Sequence, residues 1–416
     1  MRTPWPVLLL FLALLLPAET GYHIGDLWIT WYRVLLLGMF IPCAVMLASG
    51  RAGKWTLADG LVIVWVSWAA ITFAYHHGPE IAAQSGGIYV VEGVGAYLIA
   101  RCFIRDLAAF RAMVALLTAV VIAMLVVTVP EAVTGRNFIR EVLAGYTPSI
   151  GERWGMKRSY GMFQHPILLG VFCCSAVGLS YFVLTHDDKL RTPRVARTVL
   201  VTLSTFASFS AGPLSAVVVQ FGIIGWDRFT TTLRNRWWYL LALFAFFYVV
   251  IDVLSNRSPL LVFIDYASFT LHSAYNRVII WEWGTASVMN HPMFGIGFNE
   301  WVRPSWMHST SMDNFWLLVA VRHGLPAIIA LLGAVAYTIW RLTRLEGIDP
   351  MHHRARLGWI TTMLGLFVVG LSVHFWDHVF VLFAFLLGSI MWMLCQPLDT
   401  STETKNKRRR PMVKSA

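Results

Sequence analysis

The residues best suited to chemistry in this 416-residue chain are cations gathered in two segments, with a single carboxylate just after the second. Arg136, Arg140, Arg153, Lys157 and Arg158 crowd residues 131–158, and Arg257, Arg277 and Arg303 fall within 254–312, directly before Asp313-Asn314. A guanidinium offers a planar, permanently charged fork of donors that matches phosphate oxygens, so such clusters suit an anionic ligand. The bland alternatives are solvated loop charges and loop-to-helix salt bridges, for instance to Glu282 or Asp265. Asp313 has two readings as well. It can accept a proton as a general base, or it can cap the apolar helix that Phe315-Trp-Leu317 opens. His374, Asp377 and His378 bunch possible metal ligands, but a network between two helix ends needs the same residues, and no third site with matching ligands declares itself. Phe294-Gly295-Ile296-Gly297 looks like a phosphate-binding loop only superficially, because no strand surrounds it, and a turn is enough. Trp281, Trp283, Trp301 and Trp306 suit either sugar stacking or an interfacial aromatic belt. Cys43, Cys102, Cys173, Cys174 and Cys395 lie in or beside apolar runs without C-x-x-C spacing, which indicates neither a disulfide framework nor a zinc site.

The elements that must hold these residues are membrane helices. The chain is 57% hydrophobic and 13% charged, with mean hydropathy +0.63, whereas soluble domains carry about 25% charged residues. Apolar segments near 5–18, 29–49, 58–76, 84–101, 112–130, 164–185, 198–226, 237–253, 314–340, 357–375 and 378–396 leave little room for a soluble catalytic domain. The block 198–226 is interrupted by Ser210-Ala-Gly-Pro213. Basic clusters flank it at Lys189, Arg191, Arg194 and Arg197 and at Arg228, Arg234 and Arg236, so it reads as a short or re-entrant hairpin with both ends on one side. Most Lys and Arg then fall on the cytoplasmic side, and the net charge of +11 reads as loop charge rather than nucleic-acid binding. The expected fold is an all-α polytopic membrane protein of about twelve transmembrane helices, N-in and C-in, with a large periplasmic loop before the last three. Residues 1–396 form one membrane domain with periplasmic loops 131–158 and 254–312, and 397–416 form a basic disordered cytoplasmic tail. The first segment resembles a signal peptide, but Pro17-Ala-Glu-Thr is a poor cleavage site, and a retained span is expected. Arg33, Glu92 and Arg322 interrupt apolar stretches, and mutual pairing of Glu92 with one of the arginines is the preferred reading.

Four ordered patterns carry a family resemblance. They are Arg158-Ser-Tyr-Gly161-Met-Phe-Gln-His165-Pro166, Arg277-Val-Ile-Ile-Trp281, His291-Pro292-Met-Phe-Gly295-Ile-Gly297-Phe-Asn299, and Asp313-Asn314-Phe-Trp-Leu317 running into Gly324-Leu-Pro326. Over roughly residues 90–380 the chain resembles the O-antigen ligase and polysaccharide polymerase superfamily of bacterial membrane glycosyltransferases. The resemblance implies glycan transfer from an undecaprenyl-diphosphate-linked donor to an acceptor hydroxyl at the periplasmic face of the inner membrane, with no metal or other cofactor. Ligases of the family usually read His-Asn where this chain has Asp313-Asn314, and that departure leans toward the exopolysaccharide polymerase branch. On the resemblance, Arg158 and Arg277 stabilise the leaving diphosphate and Asp313 is the base. Lys157, Arg153, His165, His291, Trp281, Asn314, His308 and Arg322 contact substrate. The implied partners are the lipid-linked glycan, a glycan or lipid A core acceptor, membrane lipids and a chain-length regulator, with no nucleic acid. A ligase acting on lipid A core is the alternative within the family. A secondary transporter and a non-catalytic assembly protein are the alternatives outside it, although the halves show no repeat and the long external loop is an unusual feature for a carrier.

Overall fold

The structure, a computed structural model, describes residues 2–146, 148, 151–153, 155–185, 191–266, 269–307 and 309–395. His308, Lys189 and the basic tail lie outside the described residues. What is described is mostly helical, with two small antiparallel hairpins, Tyr22–Ile24 with Leu27–Ile29 and Glu152–Arg153 with Met156–Lys157.

Among the described residues seven helical stretches are long and apolar enough to cross a membrane: Trp31–Ala48, Leu57–Phe103, Leu107–Thr134, Pro166–Val183, Arg236–Leu254, Phe315–Thr343 and Asp377–Cys395. The chain is therefore a multi-pass membrane protein, but the structure does not reproduce the expected count of about twelve. Leu57–Phe103, 47 residues with a kink at Gly78, covers two of the expected segments, and others fall outside the set for local reasons. Helix Trp5–Ala13 has 9 residues, and helix Pro350–Gly370 opens with His352, His353, Arg354 and Arg356. The block around 198–226 divides into helices Arg191–Phe206 and Ala211–Phe229. Its break falls at 207–210, a few residues before the proline, which instead sits inside the first turn of the second helix, where its missing N–H costs little.

The centre of the bundle is helix Asp377–Ser389, buried from His378 onward. Helices Leu57–Ile81 and Phe315–Thr343 are each kinked near one end by a glycine in the left-handed region followed closely by proline, Gly78 (φ 82°) before Pro79 and Gly324 (φ 78°) before Pro326. Inside the apolar layer backbone groups need internal partners, and residues 291–298 supply them at the second kink. Ile296 N donates to Val321 O at 2.9 Å, Gly297 N to Arg322 O at 2.9 Å, and Leu325 N to Pro292 O at 2.7 Å. The approach leaves no room for side chains, since a Cβ on Gly324 would lie 2.2 Å from Met293 O and one on Gly295 2.4 Å from Val321 O. His77 Nε2 accepts from Phe298 N at 2.8 Å, and the Trp68 indole N–H lies within hydrogen-bond reach of the carbonyls of Met293 and His323. The Phe-Gly-Ile-Gly run is thus a packing turn.

The interrupting charges are paired as expected for Glu92. Arg33 Nε donates to its carboxylate at 2.7 Å and Tyr32 Oη at 3.2 Å, and Arg33 also lies 3.5 Å from Asp377. His378 turns away toward the Leu16 carbonyl, 3.1 Å from its Nε2, so the His374 to His378 group is divided among separate partners.

Candidate functional site

The 158–166 pattern is clamped along its backbone. Glu131 accepts from Tyr160 N at 3.0 Å and Gly161 N at 2.9 Å, and Asn137 donates to Gly161 O at 2.7 Å. Buried Arg140 reaches Phe163 O and the Glu19 carboxylate. Ser159 N donates to Ala207 O at 3.1 Å, and His165 Nδ1 accepts from Ile167 N at 3.1 Å to cap the helix starting at Pro166. With the backbone held on both sides, Arg158 has one direction left. Its Nη2 donates to Ser210 Oγ at 2.9 Å, and its Nε lies 3.4 Å from Ser208 O. Arg153 Nη1 donates to Phe209 O at 2.7 Å, and its guanidinium carbon sits 5.4 Å from the Phe269 ring centroid.

Both arginines therefore cover the carbonyls that the break at 207–210 frees, a favourable position for cations because the carbonyl ends of helices are negative. Among the described residues no carboxylate lies within salt-bridge distance of either one. The other three cations of this loop are neutralised: Arg136 by Glu141 at 2.7 Å, Arg140 by Glu19, and Lys157 by Glu152 at 3.0 Å. Burial, with Arg153 beside it, pushes Arg158 down to about 10. Burial, with Arg158 and Arg153 facing it, pushes His165 down to about 4. His165 is a neutral acceptor at pH 7.

Arg277 comes from helix Leu271–Asn290, where Thr270 caps the first turn. Gly284 lies two turns on along the same face, and a side chain there would strike Leu317 at 2.6 Å, so this face packs closely on the start of helix 315–343. Arg277 is buried against that junction. Burial lowers its pKa, the nearby negative charge of Asp313 opposes the shift, and the positive charge of Arg153 adds to it. Asp313 itself is not the cap. Asn314 is, through Oδ1 accepting from Leu317 N at 2.9 Å, while Asp313 Oδ1 accepts from Ser311 Oγ at 2.9 Å. The expectation that Asp313 caps this helix is corrected by one residue, and the buried Asn314 side chain is committed to the backbone.

The remaining expected contacts scatter around this centre. Trp281 packs against the core, and His291 ends helix 271–290 in an exposed position. Arg322 lies deeper, its guanidinium carbon 5.2 Å from the Phe298 ring centroid, and lines a cavity of about 160 Å³ with Tyr89, Glu92, His374, Trp376 and Asp377. The Trp376 ring connects the two places, 6.2 Å from His165 and 5.4 Å from His374. Trp376 and Ser210 were not singled out from sequence. The only signal for Ser210 was the helix break it borders. Two non-glycine residues have positive φ among the described residues, Phe209 (43°) and Asp377 (47°), and both border this region. Backbone strain of this kind persists where surrounding structure fixes it, often at functional sites.

Residues 196–332 match the O-antigen ligase family. No curated protein and no solved structure matches the chain. The matched stretch contains Arg277, Asp313 and Arg322 and the helix break at 207–210, whereas Arg153 and Arg158 come from the preceding loop and close onto that break. The match supports a relationship of this stretch to the O-antigen ligase and polymerase superfamily, a family whose name implies glycan transfer on a polyprenyl-linked glycan.

Proposed function

We propose that the chain extends a polysaccharide at the periplasmic face of a bacterial inner membrane by transferring glycan from an undecaprenyl-diphosphate-linked donor to the hydroxyl of another repeat unit. The observation that carries this reading is the convergence of Arg153, Arg158 and Arg277 beside a single carboxylate, Asp313. The acceptor oxygen attacks the anomeric carbon, the bond from that carbon to the diphosphate oxygen breaks, and the diphosphate leaves with the electron pair. Arg158 and Arg277 neutralise the growing charge, Arg153 holds an outer phosphate oxygen, and Asp313 takes the hydroxyl proton. His165, His291, Trp281 and Arg322 line the approach of the sugars. No step requires a metal.

The test is lipid-linked donor turnover in membranes carrying Asp313→Asn. Because Asn314 holds the cap, this variant should reach wild-type membrane levels while losing on the order of 10²- to 10⁴-fold in transfer, the usual contribution of a positioned base. Full activity would overturn the base assignment. The family description supports a second reading, ligation to a lipid A core, and the two separate by supplying each acceptor in turn.

We also propose the topology that this chemistry needs: 131–158 and 254–312 in the periplasm, both termini in the cytoplasm and about twelve crossings in all. Cysteine introduced at Ser258 should react with an impermeant thiol reagent in outer-permeabilised cells. Protection there, with labelling of a cysteine at Ser401, would reverse the arrangement.

A further inference from the structure

Helix 271–290 has a second face. Opposite Arg277 and Gly284, the residues Tyr275, Val278, Ile279 and Glu282 line an open cleft of about 780 Å³, closed on its other sides by 256–261 and by Pro304 and Trp306. The rings of Tyr275 and Trp306 lie nearly parallel, 12° apart with centroids 5.8 Å apart, and Trp283 stands on the same wall. All three rings are exposed. Asn256, Arg257, Ser258 and Glu282 bring amide, guanidinium, hydroxyl and carboxylate groups to the same cleft.

A lipid-facing wall would not gather amide, hydroxyl, guanidinium and carboxyl groups among its rings, because polar groups facing hydrocarbon are costly. Flat rings beside hydrogen-bonding groups match the two kinds of surface on a pyranose, its apolar C–H faces and its hydroxyl edges. The cleft is also far larger than the cavity at Arg322, 780 Å³ against 160 Å³, which fits several sugar units rather than one. One helix separates it from the proposed transfer site. We infer that this cleft is a second glycan site, which holds the polymer several units away from the reacting end and so retains the chain between transfers. The inference rests on the proposed polymerisation. Binding energy from non-reacting parts of a substrate raises retention without touching the bonds that change.

The experiment measures product length and acceptor KM in membranes supplied with lipid-linked donor, using oligosaccharide released from that donor by mild acid as the added acceptor. Tyr275→Ala and Trp306→Ala should each raise acceptor KM on the order of three- to ten-fold, the size of one aromatic contact, and shift the product to short chains. Transfer in a single turnover should be unchanged, and Trp306→Phe should restore long chains because it keeps a ring. Unchanged length and KM in the double alanine variant would overturn the second site, as would equal loss of single-turnover transfer, which would mark a structural or catalytic role. Arg277→Ala, assayed in parallel, separates the two assignments. If it stays active while the cleft variants shorten the product, the transfer site is wrong and the cleft stands.

Discussion

Two loop segments close two broken helices, and they do so by different chemistry. At the Gly324 kink the exposed carbonyls of Val321 and Arg322 receive backbone amides from Ile296 and Gly297. At the 207–210 break the carbonyls of Ser208 and Phe209 face the guanidinium groups of Arg158 and Arg153. Both satisfy polar groups that a membrane interior will not tolerate alone. An amide that has made its bond is finished, and the junction is neutral. A guanidinium has five donors and a fixed charge, so it can seal a helix end and still offer donors to an anion. A seal made from arginine is therefore also a binding surface, whereas one made from glycine is only a seal.

The strongest way to break this comparison is to remove charge from the arginine seal, at Arg158, and from Arg277 near Asp313. Arg277→Ala and Arg158→Ala should each lower turnover on the order of 10²- to 10³-fold, the usual loss for one group that stabilises developing negative charge. Arg277→Lys should be nearly as damaging where bidentate geometry matters, because lysine is a point charge. Donor turnover at equal membrane level is the measurement, and wild-type polymer from both alanine variants would show that Arg158 serves the helix end alone and that Arg277 is not needed for transfer.

The glycine seal should fail differently. In Gly324→Ala a Cβ would meet Met293 O at 2.2 Å on a backbone with φ of 78°, and the strain alone is of order 1–3 kcal/mol. Loss of folded protein from the membrane is expected, with normal activity per surviving molecule. Normal melting behaviour would contradict the packing role. A smaller effect belongs to Asn314→Ala, which removes a helix cap and should cost about 1 kcal/mol of stability. Its thermal shift should exceed that of Asp313→Asn, and the reverse order would return the cap to Asp313.

The finest distinction is one of pH. His165 sits beside both arginines with Nδ1 accepting from Ile167 N, so its folded pKa of about 4 lies below the ordinary value of 6.5. The unfolded chain then binds the proton more readily, and stability from the neutral ring is present above about 6.5 and declines as pH falls toward 4. His165→Asn keeps a capping acceptor and should flatten that decline in a thermal-melt series between pH 7 and 4. An identical slope in the variant would remove His165 from the seal.

Much of the molecule was legible from local sequence. Runs of apolar residues mark membrane segments because hydropathy is a property of consecutive residues, and the break in 198–226 announced itself through Ser-Ala-Gly-Pro. The pairing of Glu92 with an arginine followed from the cost of burying charge. Three of the four patterns fall in the candidate site, and the fourth holds the Phe-Gly-Ile-Gly run, which reads as a turn because nothing around it could make a nucleotide fold and which packs against the Gly324 kink. The positions of helix ends were less legible, since charge at helix ends and a mid-segment break divide runs that composition reads as continuous.

Tertiary structure alone decided which cations are spent. Arg140 finds Glu19 across 121 residues and Arg158 finds Ser210 across 52, and no periodicity links such positions. It also decided the cap, because Asp313 and Asn314 are equally good capping residues in sequence and only backbone direction chooses between them. Finally it gave helix 271–290 two working faces, Arg277 toward Asp313 and Tyr275 toward Trp306. Sequence fixes the angular spacing of side chains on a helix through its 3.6-residue period, but which face meets a neighbour and which is left open depends on what packs there.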